Sequence, residues 1–595
     1  MPAAFALLPP FGLALLATAV AAQTQTETVF VTGSIVERAV AEAPYAVAVV
    51  GRDELRAAGP QINLSEALAR VPGLTVANRN NYAQDLQIGS RGFGARATFG
   101  VRGVRLLADG IPASGPDGQG QVAQFDLAGA ERVEVLRGPF SVLYGNSSGG
   151  VISLVSTPVK RAEVEGEIDL GSFGLQQLRA AVAAPLGKGF SLRASASAMS
   201  YGGFRPHAAA QRELANLRLA WQGDADTVTV SAGAWSQPAQ DPLGLTAAQF
   251  SADPYQTTPQ ALQFDTRKDS SQQQLGANWK HRFGGDGALR DSQLVLWRGQ
   301  RSVTQFLAIP SATQGNVRHG GGVVDFDRDF SGLDARLRFA WTGIDLQIGA
   351  AHERQSDARR GYENFTGSGA AQVLGVFGRL RRDENNRARS SDVYAQAEFT
   401  LNPAFSASAG LRSGRVELSA ADNYLSNGDD SGAVDFRYTN PVLGLRWQPA
   451  PGWQLHASAA RGFESPTLTE MAYRPDGTGG FNTALQPQVS RQLELGTKWR
   501  GAGIDADAVL FQIRTRDEIG IASNAGGRAS YQNTGRTERR GLEVGAGWQP
   551  AAAWRTRLAL TLLDASYSDG FSTCTTIPCN AAAVPVAAGN RIAGA

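Results

Sequence analysis

Apolar and polar residues alternate along the chain from about residue 161 onward. One segment carries apolar residues at every second position with charged residues between them, namely Leu333, Leu337, Phe339 and Trp341 against Asp334, Arg336 and Arg338. The alternation resumes after Thr342 and Gly343, and it returns between Val393 and Leu401. A period of two places successive side chains on opposite faces of a β-strand. The pattern therefore predicts a series of antiparallel strands.

The lengths of the connections distinguish between two kinds of β protein. Short turns, such as Asn402 and Pro403, alternate with long polar links at 236–270, 356–390 and 463–490. Outer-membrane barrels have tight turns at one end and long loops at the other, whereas a soluble sandwich or propeller gives no reason for this alternation. We therefore predict a transmembrane antiparallel β-barrel with lipid on its apolar face and a polar lumen.

The number of predicted strands indicates whether the sequence contains a complete barrel. We count roughly seventeen strands of about ten residues between residues 162 and 567, with an eighteenth expected near Asn590. Plugged outer-membrane transporters have about 22 strands, so about four are missing from the expected number. We therefore expect the sequence to be truncated at its C-terminus.

The residues before 161 have a different character. Residues 5–22 form an apolar run with an A-x-A site at 19–21, which predicts a signal peptide over residues 1–22. No Lys or Arg precedes Arg38, which departs from the usual signal pattern, and a single membrane anchor is the alternative. Residues 23–160 mix helix signals, such as Asn63 with Glu66, with β-branched runs at 132–136 and 151–155. They predict a small α+β domain.

Charge and cysteine content narrow the chemistry. The 56 Lys and Arg nearly cancel the 54 Asp and Glu, which leaves no basic field for nucleic acid. Cys574 and Cys579 lie in a polar segment of a chain predicted to be exported, so we predict a disulfide between them. The five histidines have no paired ligand spacing. We expect no cofactor and no metal site, and a solvated turn is favoured over calcium binding at 427–430.

The stretch 145–149 reads G-x-S-x-G, the pattern of a serine-hydrolase nucleophile elbow. Such an elbow needs a helix after the serine, but Ser147 is followed by the β-branched run VISLV at 151–155. We therefore interpret the glycines as positions of positive φ or close backbone approach. We expect Ser147 not to be catalytic and the chain not to be an enzyme.

Several motifs together resemble those of the TonB-dependent outer-membrane receptors. They are SRGFG at 90–94, LADGIP at 107–112, RVEVLRGP at 132–139, LYG at 143–145, FESPTLTE at 463–470 and LQP at 485–487. Gln488 departs from the family, which often has Glu there. The resemblance implies a barrel of about 22 strands with an N-terminal α+β plug domain inside it. It divides the chain into a signal peptide (1–22), a periplasmic segment (23–36), the plug (37–160) and an incomplete barrel (161–595).

The resemblance also implies a partner. A segment that resembles the TonB box consists of Glu27, Thr28, Val29, Phe30, Val31, Thr32 and Gly33. Its β-prone residues are suited to adding a strand to the sheet edge of TonB, which acts with its inner-membrane energising complex. The alternative is that the segment forms the first strand of the plug. We expect the receptor itself to be a monomer in outer-membrane lipid, multi-pass, in a Gram-negative bacterium.

Two groups of plug residues are predicted to act in transport. By resemblance, Arg91, Glu134 and Arg137 form a plug–barrel lock with opposite charges on the wall, the alternative being a solvated plug surface. By resemblance, the apical loops of the plug supply ligand contacts, for which the candidates are Arg79, Tyr82, Arg96, Gln119 and Gln121. Arginines suit an anionic metal chelate and Tyr82 a flat aromatic one. These five residues could equally be ordinary surface residues.

The function implied by the resemblance is TonB-dependent active transport of a scarce small-molecule ligand. A ferric siderophore is the leading expectation, and cobalamin, another metal chelate or a quinone-type cofactor are alternatives. Haem is disfavoured, because residues 460–466 read ARGFESP where the family's haem receptors have a different box. A passive porin and a surface receptor or adhesin without transport are the alternatives of another class.

Overall fold

The computed structural model describes residues 30–31, 38–78, 80–97, 100–525, 527–551, 553–576 and 583–595. The predicted signal peptide lies outside these residues, as do Glu27, Thr28, Val29, Thr32 and Gly33 of the predicted TonB box. The two described residues of the box form β1 (Phe30–Val31), which pairs antiparallel with β2 (Arg38–Ala39).

The plug is a small α+β domain. Its strands are β3 (Val47–Gly51), β4 (Leu74–Ala77), β5 (Gln87–Ser90), β6 (Val104–Ala108), β7 (Ile111–Pro112), β8 (Ala130–Arg137) and β9 (Gly150–Ser156), its helices are α1 (Arg52–Ala58) and α2 (Ser65–Leu68), and its 3-10 helices are Val40–Glu42 and Pro139–Tyr144. The main sheet has the order β3-β8-β9-β6-β7, and only its β6–β9 pair is parallel. Its core includes Leu68, Leu106, Val133 and Ile152.

Of the two residues predicted to begin a helix, Glu66 forms the expected backbone contact and Asn63 does not cap the helix. The Glu66 carboxylate accepts from the backbone N–H of Asn63 at 2.8 Å. The N-cap of α2 is Leu64, which has helical backbone angles, and no side chain caps the helix. Glu66 therefore satisfies the turn before α2 without help from the Asn63 side chain.

The wall is one sheet of seventeen strands in chain order. Its strands are β10 (Glu163–Gly171), β11 (Leu175–Gly187), β12 (Phe190–Tyr201), β13 (Ala210–Gln222), β14 (Asp226–Gln240), β15 (Arg267–Arg282), β16 (Leu289–Phe306), β17 (Val323–Trp341), β18 (Ile344–Tyr362), β21 (Leu380–Thr400), β22 (Phe405–Asp422), β23 (Gly432–Ala450), β24 (Trp453–Glu464), β25 (Gln488–Gly501), β26 (Ile504–Arg516), β29 (Thr537–Ala551) and β30 (Trp554–Tyr567). Every pairing is antiparallel, and neighbours in sequence are neighbours in the sheet. The predicted antiparallel wall and its seventeen strands are confirmed.

The loops at one end carry further short elements. These are α3 (Ala247–Ala252), α4 (Pro259–Gln263), α5 (Ser311–Gln314), β19 (Phe365–Thr366), β20 (Val373–Leu374), β27 (Ile519–Ala525), β28 (Arg528–Asn533), β31 (Phe571–Cys574) and β32 (Ala583–Val586), with 3-10 helices at Ser172–Gly174 and Gly369–Ala371. The opposite end has short turns, such as Thr342 and Gly343, where Gly343 has φ +74°. No helix in the described part of the chain is long and apolar enough to cross a membrane.

The longest strands exceed the expected length. Strands of about ten residues were expected, but β21 has 21 residues and the link after β18 shortens to 363–379. At about 3.3 Å per residue, such a strand exceeds a hydrocarbon layer of about 30 Å, so its polar outer part continues the ladder beyond the lipid. Near Asn590, where an eighteenth strand was expected to begin, the chain pairs antiparallel with the end of β30 through a bridge between Ser566 and Arg591.

The wall curves around the plug. Hydrogen bonds and ion pairs join the plug to strands along the whole sheet. The contacts, in strand order, are Pro60 O with Gln177 (β11), Asp85 with Lys268 (β15), Arg105 with Glu353 (β18), Leu143 O with Arg412 (β22) and Gly73 N with Thr561 (β30). These contacts place the plug within the curve of the sheet. The described sheet ends at β10 and β30, which do not pair with each other in the described residues.

The outer face of the wall is apolar with aromatic residues near the short turns. Leu443, Leu445, Leu493 and Leu495 are exposed on this face. Phe405 and Trp447 stack at 5.8 Å beside the turn between β21 and β22. An apolar band edged by aromatic rings is the surface expected to face lipid.

We expect Leu495→Arg to destabilise the protein in liposomes by about 2–4 kcal/mol, because a guanidinium would replace a lipid-facing side chain near the middle of the band. Urea unfolding followed by tryptophan fluorescence measures the change. Leu425→Arg is the control, because Leu425 lies 62% exposed in the loop between β22 and β23. Equal stability of both variants would contradict the lipid-facing assignment.

Candidate functional site

Arg91 is the centre of the contact between plug and wall. It lies in the turn after β5 with φ +50°, and its N–H donates to Gly73 O at 2.9 Å. The guanidinium donates from Nη1 to Glu494 of β25 at 2.8 Å and from Nε to Glu543 of β29 at 2.8 Å. Its side chain is 1% exposed, and it lies 4.4 Å from the centre of the Phe511 ring. Arg91 therefore joins two strands of the wall to the plug.

Arg137, at the end of β8, shares one of these carboxylates. Its Nη1 donates to Glu543 Oε2 at 2.6 Å and to Pro72 O at 2.5 Å. Two arginines from the plug and two glutamates from the wall thus form a four-residue network, which we call the lock: Arg91, Arg137, Glu494 and Glu543. The charges balance within it, which offsets the cost of burying them.

Two glycines let the wall carboxylates reach the lock. A Cβ at Gly73 would lie 2.1 Å from Glu543 Oε1, and one at Gly138 would lie 2.2 Å from Glu494 Oε2. Both residues also have positive φ, +81° and +75°. Any larger residue at these positions would push out the carboxylate and strain the backbone.

Glu134 forms an ion pair within its own strand. Its carboxylate accepts from Arg132 Nε at 2.8 Å, and both residues belong to β8. This ion pair lies within the plug and does not cross to the wall. The structure therefore brings Arg91 and Arg137 into one network with the wall and pairs Glu134 with its own strand.

Arg96 was a candidate ligand contact, and the structure places it between wall carboxylates. Its Nη2 donates to Glu464 at 2.6 Å and its Nε to Glu470 at 2.7 Å. The guanidinium is buried, with 7% exposure of the side chain. Arg96 is a second tie between plug and wall, and both partners come from the motif at 463–470.

Of the other candidate ligand residues, Arg79 lies outside the described residues. The remaining three, Tyr82, Gln119 and Gln121, contact neighbouring side chains. Tyr82 packs edge-to-face on Tyr201 at 5.5 Å, and burial raises the pKa of its phenol to about 12. Gln121 Nε2 donates to Asp85 at 3.2 Å, and Gln119 Oε1 accepts from Thr469 at 3.4 Å. No ligand role is tested by these contacts.

Gln119 and Gln121 line a cavity of about 50 Å³ between the plug and the wall. The wall supplies Gln272, Gln274, Arg301 and Arg328 to the same cavity. Arg301 is 3% exposed and donates from Nη1 to Gln272 at 3.3 Å, while its Nε and Nη2 have no hydrogen-bond partner in the described protein. Buried N–H groups without acceptors favour a ligand that brings anionic oxygens. We call this space the apical cavity.

Sequence reasoning missed the wall partners. Glu494 and Glu543 each occupy an inward position between lipid-facing residues, as in Leu493 and Leu495 around Glu494. Charged residues are frequent on the lumen face, so the alternation alone did not identify these two carboxylates as partners of the plug arginines. For the same reason, the alternation did not identify Arg301.

Ser147 has the surroundings of a structural residue. Its Oγ lies 2.9 Å from Gly103 O and 3.0 Å from Gly150 O, and the side chain is fully buried. The strand β9 begins at Gly150, three residues on, where a nucleophile elbow would begin a helix. The Ser147 hydroxyl therefore donates to backbone carbonyl oxygens within the plug.

The remaining candidates concern cysteine and metal chemistry. Cys574 is disulfide-bonded, while its predicted partner Cys579 lies outside the described residues. The pairing therefore stays a prediction. Within the described ranges, no group of three His, Cys, Asp or Glu side chains is arranged to hold a metal ion.

Two family models match the chain. One, described as TonB dependent receptor-like, beta-barrel, matches residues 214–595, and the other, TonB-dependent Receptor Plug Domain, matches residues 39–151. Among curated proteins, the vitamin B12 transporter of Photobacterium profundum is 30% identical over 170 residues, 28% of this chain and 27% of that protein. The hemin receptor of Yersinia enterocolitica is 24% identical over 466 residues, 75% of this chain and 60% of that protein. The chain thus spans less than two thirds of these relatives.

Solved structures show the same fold. The unliganded ferric citrate transporter has a TM-score of 0.71 at 18% identity, covering 88% of this chain and 78% of that one. The siderophore receptor of Acinetobacter baumannii has a TM-score of 0.70 at 16% identity, covering 92% and 82%. At these identities the likeness concerns the fold.

We expect Arg137→Met to lower the free energy of unfolding by about 3–5 kcal/mol, because Glu543 would lose one of its two buried partners. Arg161→Met is the matched control, because Arg161 pairs with Glu163 at the surface with 82% exposure. Chemical denaturation in detergent micelles measures both variants. An Arg137 variant as stable as the control would show that the lock does not hold the plug.

Proposed function

The chain belongs to the TonB-dependent receptor family, and on that premise we propose that it carries a ferric siderophore across the outer membrane at the expense of work done by TonB. The observation that carries the proposal is the lock, through which buried charges join the plug to β25 and β29. A plug tied to the wall in this way opposes passive flow. The lock therefore argues against a porin.

An external source of work follows from the same network. A ligand shifts a conformational equilibrium only by its difference in affinity for the two states, so binding alone cannot concentrate cargo. The sequence has no phosphate-binding loop that would let the chain use a nucleotide itself. Among the described residues, β1 pairs with β2 through Phe30 with Ala39 and Val31 with Arg38. A segment that already forms a strand is suited to adding a strand to the sheet edge of TonB.

Deletion of residues 27–33 separates transport from binding. We expect energised uptake to fall to background while binding at the cell surface remains, because the cargo contacts are at the other end of the plug. Uptake and binding of a radiolabelled ferric siderophore in whole cells measure the two effects. If uptake persists, the TonB mechanism is wrong, and if wild-type cells bind without uptake, the protein is a surface receptor or adhesin.

The apical cavity supports an anionic chelate as the cargo. Arg301 offers two N–H groups without acceptors, and Gln272 and Gln274 beside it offer amide groups. One carboxylate or phenolate group of a ferric siderophore meets these requirements, because a space of about 50 Å³ admits such a group while the rest of the chelate lies outside it. Cobalamin, another metal chelate and a quinone-type cofactor are the second candidates, and the vitamin B12 transporter among the relatives is a reason to test the first of these.

We expect Arg301→Gln to weaken binding of an anionic ferric chelate by about tenfold or more, because one charge-assisted contact is lost. Fluorescence titration with ferric citrate, a ferric catecholate and cobalamin measures this. Arg318→Gln is the control, since Arg318 lies in the exposed loop between β16 and β17. Cobalamin as the tightest ligand, with no effect of Arg301→Gln, would contradict the siderophore assignment.

A further inference from the structure

The segment between the predicted TonB box and the first plug strand is fastened to the wall. We call residues 40–46 the strap. Two donors on the wall bind its carbonyls: Lys498 Nζ donates to Val40 O and to Ala43 O, each at 2.9 Å, and Gln454 Nε2 donates to Ala43 O at 2.8 Å. Lys498 and Gln454 lie directly opposite each other in the β24–β25 ladder, close to the short turns. The donors therefore converge on one point of the strap.

The inner end of the strap is attached to the lock itself. Glu494 Oε1 accepts from the backbone N–H of Ala46 at 3.2 Å, while Glu494 Oε2 accepts from Arg91 at 2.8 Å. Ala46 O in turn accepts from the backbone N–H of Arg137 at 3.0 Å. One residue of the strap therefore contacts a wall carboxylate of the lock and the backbone of a lock arginine.

The order of these contacts along the chain has a mechanical consequence. Tension applied at residues 27–33 reaches Val40 and Ala43 before it reaches Ala46. Contacts loaded in series from a pulled end fail one after another, beginning with the nearest. The bonds from Lys498 and Gln454 must therefore break before tension reaches Glu494 and the lock.

The geometry points to Lys498 and Gln454 as positioning residues that form a force-bearing latch on the strap. The latch keeps small forces from reaching the lock, and its release delivers the load to Glu494. Both carbonyls and both donors are buried or nearly so, and Ala43 and Tyr45 anchor the strap among apolar residues. The inference rests on the proposed function, because a latch of this kind has a role only if TonB pulls.

Single-molecule pulling tests the latch without cargo or TonB. The full chain, with a biotin tag between Ala22 and Gln23, is reconstituted in liposomes and pulled from the side of the tag. We expect two rupture events in the wild type, the first from the latch and the second from the lock. Lys498→Met should remove or weaken the first event and leave the second unchanged, whereas Lys498→Arg should retain it because the donors remain.

Two further variants separate the latch from a general loss of stability. Gln454→Leu should lower the force of the first event only, and Glu494→Gln should lower that of the second, because it weakens the bond to Arg91. Hydrogen exchange of backbone amides should also separate the strap from the lock. In Lys498→Met we expect about tenfold faster exchange over residues 40–46 and no change at β8.

The outcome distinguishes the latch from the transport proposal. An unchanged first event in both Lys498→Met and Gln454→Leu overturns the latch, whatever uptake shows. A single event with equal force in all variants also overturns it. Loss of the first event in a protein that shows no TonB-dependent uptake keeps the contact assignment but overturns the transport role on which the latch depends.

Discussion

The burial of charge between plug and wall is the constraint on which the rest of the structure depends. Glu494 and Glu543 project from the wall into a space without solvent, where an unpaired carboxylate would cost several kcal/mol, of order 3–5 when a partner is removed. Arg91 and Arg137 are the groups that neutralise them. The two ion-paired carboxylates also approach the plug backbone at Gly73 and Gly138, where a Cβ would lie 2.1 Å and 2.2 Å from a carboxylate oxygen.

The same buried ion pairs hold the small plug domain against the wall. The lock joins plug and wall through buried ion pairs at two strands, while the rest of the interface combines further ion pairs such as Arg96 with Glu464, apolar contacts such as Ile111 with Trp297, and cavities such as the apical cavity. Salt bridges are specific in geometry and break at once when displaced, unlike a continuous apolar interface. Work delivered at the strap therefore acts on a small number of bonds.

The antiparallel pairing and the length of the wall strands have a different physical cause. Every backbone polar group within lipid must be bonded to a neighbouring strand, which the antiparallel ladder achieves for the strands between β10 and β30. The same ladder continues into the loop region, where side chains no longer need to be apolar. The strands are long because backbone pairing does not stop where the lipid stops.

Particular residues show where sequence reasoning succeeded and where it ended. The alternation around Leu333–Trp341 was enough to predict the strands, because a period of two is a local property. Arg91 and Arg137 were identified through motifs, whereas the pairing of Glu134 with Arg132 in its own strand and of Arg96 with Glu464 and Glu470 was not predicted. The free N–H groups of Arg301 were not predicted at all.

The sequence by itself determined the class of fold, the strand count, the position of the plug before the wall and the arginines that tie them. Only the tertiary structure decided which carboxylates those arginines meet, since Arg91 and Glu543 are 452 positions apart. The inward strand faces carry many polar residues, so local pattern leaves many partners possible. The docked position of the plug decides which of these partners are met. It also brings Lys498 and Gln454 into contact with the strap.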